Sequence, residues 1–288
     1  MKWIAKENTP ILDALAQMAP DSSKSTHRSW LKEKRVLVDG DVVTLWKTIL
    51  REGQHLSLAP KTSYLPEGIR LLYQDSGLIV IDKPEFVLSV ATDFEKEKTA
   101  HAILKKEFRP KKVYVVHRLD QDTSGVMLFA LNEKVHQALR SEFEKHNVER
   151  CYAAIVEGHL SEAEGTWKSY LYEDGNYVVH STPDTEKGDL AITHYQLLGT
   201  SQKYSWLDLR LETGKKNQIR VHCKDAGNPV VGDKKYGAES DPIKRLCLHA
   251  YLLGFRHPIT KKMLRFKSKI PEKFYKLLKP KMKNFPGV

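Results

Sequence analysis

Residues 115–132, VVHRLDQDTSGVMLFALN, place a strongly polar loop between two apolar segments. The apolar segments, 113–116 and 126–131, have the length and composition of buried strands. Loops held by rigid flanking elements often carry binding and catalytic groups. An ordinary solvated turn, in which Gly125 supplies backbone freedom, would show the same pattern. The pattern alone leaves both interpretations open for a loop that contains His117, Arg118, Asp120, Gln121 and Asp122.

The composition indicates a soluble protein with two domains. The chain has 288 residues, of which 41% are hydrophobic, and no apolar run is long enough to cross a bilayer. Its first twenty residues lack the continuous apolar core of a secretory signal. Cys151, Cys223 and Cys247 show neither paired nor zinc-type spacing, which is typical of a reducing compartment. We therefore expect a cytoplasmic location.

The positive charge is concentrated near the end of the chain. The net charge is +11, and residues 261–288 hold ten Lys or Arg against one acidic residue. A second basic stretch, KKEFRPKK at 105–112, directly precedes the polar loop. Basic clusters favour polyanions such as RNA. An anionic membrane surface, or simply a solvated face, remains an alternative on charge alone.

The first sixty residues have the pattern of a small helical and hairpin module. Apolar spacing predicts a helix over 10–20, a second, basic helix follows, and Asp39-Gly40 marks a hairpin. This order resembles the S-four-type RNA-binding domain over residues 1–58, with a generic helix–hairpin module as the alternative. Two prolines and a glycine without periodicity predict a linker at 59–69.

The remainder, 70–288, alternates short strands with few helices. Asp75-Ser76-Gly77 predicts a second hairpin, and 133–146 an amphipathic helix. Further strands are expected over RCYAAIVEG, HYQLLGT, YSWLDLRLE and QIRVHCKDAG. Many strands with few helices predict an α+β fold with a mixed, largely antiparallel central sheet.

The sequence argues against several kinds of chemistry and leaves a carboxylate. The twelve histidines form no zinc pattern, and neither a phosphate-binding glycine loop nor a serine elbow occurs. An aspartate such as Asp120 can be a covalent nucleophile if it is held ionised. Arg220 lies in an apolar strand pattern, where a guanidinium needs a carboxylate partner. Tyr152 offers an apolar ring with a hydroxyl. The sequence would show the same residue types if the arginine and aspartate formed an ordinary surface ion pair and the tyrosine lay at the edge of the core.

The segment HRLDQDTSG resembles the central motif of the RluA-type family of RNA pseudouridine synthases, His-Arg-Leu-Asp-x-x-Thr-Ser-Gly. YQDSGLIVIDKP resembles the first motif of that family, and RCYAAIVEG its tyrosine-bearing strand. ETGKKNQIRVHCKDAGNPVVGDKKYG resembles the third motif, and CLHAYLLGFRHP a segment near the end. The resemblance implies a pseudouridine synthase fold with a central cleft. It also implies isomerisation of uridine in RNA with neither cofactor nor metal.

The resemblance also implies roles for residues at matching positions. Asp120 would be the catalytic aspartate, acting on ribose C1′ or uracil C6 or assisting loss of the 2′ proton. Tyr152 would stack on the base and is a candidate for proton removal, and Arg220 would pair with Asp120 and hold it ionised. Arg118 would fill space near the everted nucleotide. Contacts to the substrate are further expected from Lys215 and Gln218.

Two departures from the family pattern bear on the choice of uridine. The third motif usually reads Gly-Arg-Thr-His-Gln, whereas residues 214–218 read Gly-Lys-Lys-Asn-Gln. Phe86 stands where the first motif usually has a glycine. An S-four-type domain favours large-subunit ribosomal RNA as the substrate, with transfer RNA as the alternative. A non-catalytic ribosome-assembly factor is disfavoured, because the aspartate, tyrosine and arginine are all present.

Overall fold

The computed structural model describes residues 2–33, 35–59 and 63–278, and the chain divides into two compact units, Met1–Ser63 and Tyr64–Val288. Residues 60–62 of the expected linker lie outside the described residues, as do Lys279, Lys281 and Lys283 of the basic end. Among the described helices, none is long and apolar enough to span a membrane.

The first unit packs two helices beside short strands. Its elements are β1 (Lys2–Ile4), β2 (Thr9–Pro10), α1 (Ile11–Met18), α2 (Lys24–Lys32), β3 (Val36–Val38), β4 (Asp41–Val42), β5 (Ile49–Leu50) and β6 (His55–Leu58). The hairpin predicted at Asp39-Gly40 is confirmed, since β3 and β4 pair antiparallel around it. Ser23 caps α2 by accepting a hydrogen bond from the Thr26 N–H. Leu15 of α1, Leu31 of α2 and Leu56 of β6 share one small buried core.

The second unit is built on one large sheet. Its elements are β7 (Ser63–Tyr64), β8 (Arg70–Gln74), β9 (Leu78–Lys83), α3 (Ala100–Glu107), β10 (Tyr114–Val115), β11 (Ser124–Ala130), α4 (Glu133–Glu144), β12 (Glu149–Glu157), β13 (Glu164–Glu173), β14 (Val179–Thr182), β15 (Asp189–Thr200), β16 (Tyr204–Leu211), α5 (Gln218–Asp225), β17 (Leu248–Arg256), β18 (Met263–Lys267) and α6 (Glu272–Leu278). The strand order is β14-β13-β15-β16-β12-β17-β11-β9-β8-β7, with β10 on β11 and β18 on β17. The pair β11–β17 is parallel, whereas β9–β11, β12–β16 and β12–β17 are antiparallel. This mixed sheet confirms the α+β fold predicted from the sequence.

The central strands are apolar on both sides because each face carries its own core. On β11, Met127 and Phe129 belong to one cluster, whereas Val126 and Leu128 belong to another that includes Leu139 of α4. Alternate side chains of a strand point to opposite faces, which produces this division. The polar loop therefore leads into a fully buried strand, β11, while the short strand β10 before it is half-buried.

Gly125 at the end of this loop is required by the approach of two backbones. It has φ +124°, and a Cβ there would lie 2.1 Å from the carbonyl oxygen of Ala250 on β17. The backbone freedom expected from the sequence is thus used to bring β11 and β17 together.

One expected strand is wrong. Residues 218–225 form the helix α5, which places Arg220 on a helix and not in a strand. Every residue from 218 to 223 is buried, so the helix has no polar face to reveal its period. Ile219, Val221 and Cys223 alternate with polar residues, as they would in a strand. In the helix, the polar side chains between them are buried and hydrogen-bonded as well.

Candidate active site

The polar loop is held by hydrogen bonds to its backbone and by one histidine. The Leu119 N–H donates to Ser89 Oγ, which in turn donates to the Leu119 carbonyl. His117 Nε2 accepts a hydrogen bond from the backbone N–H of Leu128 at 3.0 Å. Burial, reinforced by the nearby Arg150 charge, lowers the pKa of His117 to about 3. The imidazole is therefore neutral, as its role as an acceptor requires.

Lys83 ties two loops together from inside the protein. It is 0% exposed, and its Nζ donates to the carbonyls of Pro84, Val87 and Gln121. Burial lowers its pKa to about 7, against the attraction of Asp120 and Asp122. An ammonium has three protons and a neutral amine only two, so the three acceptors favour the charged form. The lysine fixes the residue that follows Asp120.

Asp120 shares one guanidinium with a second carboxylate. Arg220 Nη1 lies 3.3 Å from Asp120 Oδ2, while Arg220 Nε and Nη2 bind Asp233 at 2.6 and 2.7 Å. Burial alone would lower the pKa of Arg220, but the hydrogen bonds and charge of Asp233, with a smaller contribution from Asp120, raise it above its usual value. Arg220 is thus a permanent cation beside a carboxylate whose side chain is 29% exposed.

Asn217 is a second donor to Asp120, with Nδ2 3.4 Å from Oδ2. It has φ +54°, a left-handed conformation that asparagine tolerates better than most residues, directly before α5. The sequence drew attention to this position only as a departure from the family motif. The structure shows that the departure contacts the candidate catalytic carboxylate itself.

Tyr152 lies on β12 and lines the same groove as Asp120. Burial raises the pKa of its phenol to about 12, although the Arg150 charge acts in the opposite direction. The side chain therefore offers a protonated hydroxyl on an apolar ring at neutral pH. The structure brings together the three residues that the sequence predicted to be catalytic.

The three residues predicted to contact substrate differ in their accessibility. Arg118 is exposed and lines the groove, and Lys215 also lines it while pairing with Asp189 at 3.2 Å. Gln218 is buried, and its amide bonds the Thr213 hydroxyl, the Lys215 N–H, the Ile192 carbonyl and the Thr193 hydroxyl. The side chain of Gln218 therefore holds the loop and keeps no hydrogen-bonding position for a substrate.

The groove has a volume of about 1070 Å³ and extends from the polar loop towards α4. Asp120 and Tyr152 lie in its wall together with basic and aromatic side chains, among them Arg118, His136, Arg140, Phe143, Arg150 and Lys215. The carboxylate is thus reachable from a basic opening large enough for a nucleotide. Sequence reasoning assigned no role to Lys83, Arg150, Asn217 and Asp233, although each lies within one of the quoted motifs.

Comparison with known proteins agrees with this geometry. The family model described as RNA pseudouridylate synthase matches residues 77–225. The large-subunit pseudouridine synthase D of Pasteurella multocida (strain Pm70) is 30% identical, over 92% of this chain and 89% of that protein. The chain belongs to the RluA-type family of RNA pseudouridine synthases. It is therefore an isomerase that converts uridine in RNA to pseudouridine.

Two further relatives extend the comparison. The uncharacterized RNA pseudouridine synthase YjbO of Bacillus subtilis (strain 168) is 32% identical, over 84% of this chain and 89% of that protein. The solved structure of human RNA pseudouridylate synthase domain containing 1 superposes with a TM-score of 0.59 at 24% identity, over 70% of this synthase and 84% of that chain. At that identity the superposition shows the pseudouridine synthase fold alone.

Proposed function

We propose that this synthase isomerises uridine in large-subunit ribosomal RNA and that Asp120 is its catalytic carboxylate. The observation that carries the proposal is the contact between Asp120 and Arg220, 3.3 Å apart in the wall of a groove that Tyr152 also lines. The ribosomal substrate is supported by the relative from Pasteurella multocida, whose name refers to the ribosomal large subunit.

The reaction conserves all atoms of the nucleotide. The bond between ribose C1′ and uracil N1 breaks, a bond between C1′ and C5 forms, C5 loses its proton and N1 gains one. A base inside a helix must be everted to reach the groove, at a cost of roughly a few kcal/mol. The basic side chains around the groove offset this cost through contacts with phosphates.

Each residue of the site has a part in this scheme. Asp120 attacks C1′ or C6, or assists loss of the 2′ proton, and the fixed charge of Arg220 stabilises its ionised form. Tyr152 supplies a ring on which the uracil stacks, since base–aromatic stacking contributes about 1–3 kcal/mol per base. Arg118, which is exposed at the groove, occupies the space near the everted nucleotide.

The first unit would act as an S-four-type RNA-binding domain that delivers the ribosomal RNA. Its helix α2 carries Arg28 and Lys32, which line a surface depression with Trp46. Trp46 is exposed, and Lys47 Nζ lies 5.1 Å from its ring centroid. Basic side chains beside an exposed aromatic ring suit an RNA strand. We also propose a cytoplasmic location, which the three buried free cysteines support.

Mapping of pseudouridine in total RNA from cells with and without the gene tests the substrate. We expect one or more sites in large-subunit ribosomal RNA to lose the modification. Loss of the modification at a transfer-RNA position, with ribosomal RNA unchanged, would show that the substrate is transfer RNA and that the reaction is the same. Purified wild type and Asp120→Ala on the mapped RNA test the carboxylate, and equal isomer yields would reject its role.

A further inference from the structure

Arg150 is a buried cation in the wall of the groove. It lies on β12, two residues before Tyr152, and its residue surface is only 8% exposed. Residues i and i+2 of a strand point to the same face and are about 7 Å apart. Its guanidinium therefore lies on the same side of the sheet as the phenol of Tyr152, and both line the groove that contains Asp120.

Within the described residues, this guanidinium contacts no carboxylate. Its Nη2 donates to the Glu212 carbonyl at 2.8 Å, but its Nε has no acceptor in the described part of the chain. Among the residues that the structure describes, no carboxylate lies within ion-pair distance of Arg150, whereas buried Arg220 binds two and buried Arg245 binds one. An unpaired buried charge is costly. The uncompensated cation indicates that an anion from outside the chain completes the site.

Neighbouring residues pack against the guanidinium at the wall of the groove. It lies over the ring of Phe143, 5.6 Å from the centroid, and that ring stacks on His117 at 4.9 Å. A Cβ at Gly214 would lie 2.3 Å from Nη1. Any larger residue at 214 would therefore displace the guanidinium, and the glycine leaves it room beside the groove.

We propose that Arg150 binds a backbone phosphate of the RNA, next to the everted uridine whose base rests on Tyr152. This inference rests on the proposed function and names the contact that seats its substrate. A guanidinium suits a phosphodiester because its parallel N–H groups match two phosphate oxygens. Two other basic side chains of the groove already have carboxylate partners within the protein, since Arg140 pairs with Glu144 at 3.2 Å and Lys215 with Asp189.

Salt dependence of binding gives the first test. Binding to a large-subunit ribosomal RNA transcript is measured between 50 and 300 mM KCl, roughly the range over which phosphate contacts respond, with Asp120→Asn in every protein to prevent turnover. We expect Arg150→Gln to reduce the slope of log K against log salt by about 0.7–0.9, the value for one phosphate contact, and Arg150→Lys to keep it. Arg265→Gln, which removes an arginine that is ion-paired with Glu149 and does not line the groove, is the control. A slope change no larger than that of the control would overturn the proposal.

Neutral linkages give the second test and locate the phosphate. An RNA oligonucleotide spanning the mapped uridine carries one methylphosphonate at each flanking position in turn. One position should weaken binding of the Arg150 protein about tenfold and leave the Arg150→Gln protein unaffected, because the two changes remove the same contact. Additive losses at every position would reject the contact. Thermal unfolding of Arg150→Gln checks folding, and a lowered kcat with unchanged KM and unchanged salt slope would show a structural role only.

Failure of the catalytic role of Asp120 and failure of the phosphate contact of Arg150 would give different results. If Asp120→Ala retained full isomer yield, the catalytic assignment would fall, while a reduced salt slope for Arg150→Gln would still support the phosphate contact. If the slope and the methylphosphonate series were unaffected, Arg150 would be excluded without any effect on the role of Asp120.

Discussion

The two carboxylates that share Arg220 lie in different surroundings. Asp233 is buried, with a side chain 1% exposed, and binds the guanidinium through two short hydrogen bonds. Asp120 is 29% exposed and makes one longer contact of 3.3 Å. The buried pair sets the position of the cation, and the open pair leaves the Asp120 carboxylate partly exposed in the wall of the groove. A structural carboxylate and one that we propose to be catalytic can therefore share a cation and still be distinguished by geometry.

The largest expected effect is that of a substitution at Asp120, the partly exposed carboxylate partner of Arg220. Asp120→Asn keeps the size and one acceptor of the side chain but removes its charge. We expect kcat for isomerisation to fall by roughly 10⁴-fold or more. The free energy of unfolding should change by less than about 1 kcal/mol, because the group is partly solvated. A single-turnover assay and urea unfolding measure the two quantities, and a residual rate within tenfold of wild type would contradict the comparison.

Asp233→Asn, at the buried carboxylate partner of Arg220, should mainly lower the stability of the protein. It removes the main counter-ion of buried Arg220, and breaking a buried pair costs about 3–5 kcal/mol of folding free energy. Urea unfolding should show that loss, and activity should fall as a consequence of the displaced guanidinium. A stability close to that of wild type would mean that Asp120 alone can hold Arg220.

His222, on the same helix as Arg220, should make the stability of this region depend on pH. Burial lowers its pKa to about 4, while its ring nitrogens contact the hydroxyls of Ser169 and Thr193. Between the unfolded pKa of about 6.5 and the folded value of about 4, the unfolded state binds one more proton than the folded state. Stability should therefore fall as the pH decreases through that window, by about 3 kcal/mol in total. Urea unfolding at several pH values should show a shallower dependence for His222→Asn, and identical slopes would show that His222 is protonated in the folded protein.

The smallest expected effect is that of a substitution at Phe86, which contacts the residue that follows Asp120. Phe86 has φ +67° and is exposed, and its carbonyl accepts a hydrogen bond from Gln121 Nε2 at 3.2 Å. A left-handed conformation costs a non-glycine residue about 1–2 kcal/mol, so Phe86→Gly should raise the free energy of unfolding by about 0.5–1 kcal/mol. Phe94→Gly, at a fully exposed phenylalanine without positive φ, should give no increase. Calorimetry that shows both variants destabilised would contradict this account.

The motifs predicted much of the molecule because their signals are local. The turns at Asp39-Gly40 and Asp75-Ser76-Gly77, the helix α4 and the apolar strands on either side of the polar loop are all present as expected. Each depends on residues within a few positions of one another, through turn conformation or side-chain alternation. The family motifs likewise placed Asp120, Tyr152 and Arg220 before any fold was available.

Tertiary structure decided what surrounds those residues. α5 was mistaken for a strand because residues 218–223 are all buried, so the sequence shows no separation into a polar and an apolar helix face. The partner of Arg220 depends on folding as well, since Asp233 is thirteen positions away and Asp120 a hundred. The unpaired state of Arg150 is visible only once every neighbouring carboxylate has been placed. The sequence by itself determined the residue types and local elements, whereas burial and long-range pairing, which set the energy of a charge, followed only from the three-dimensional arrangement.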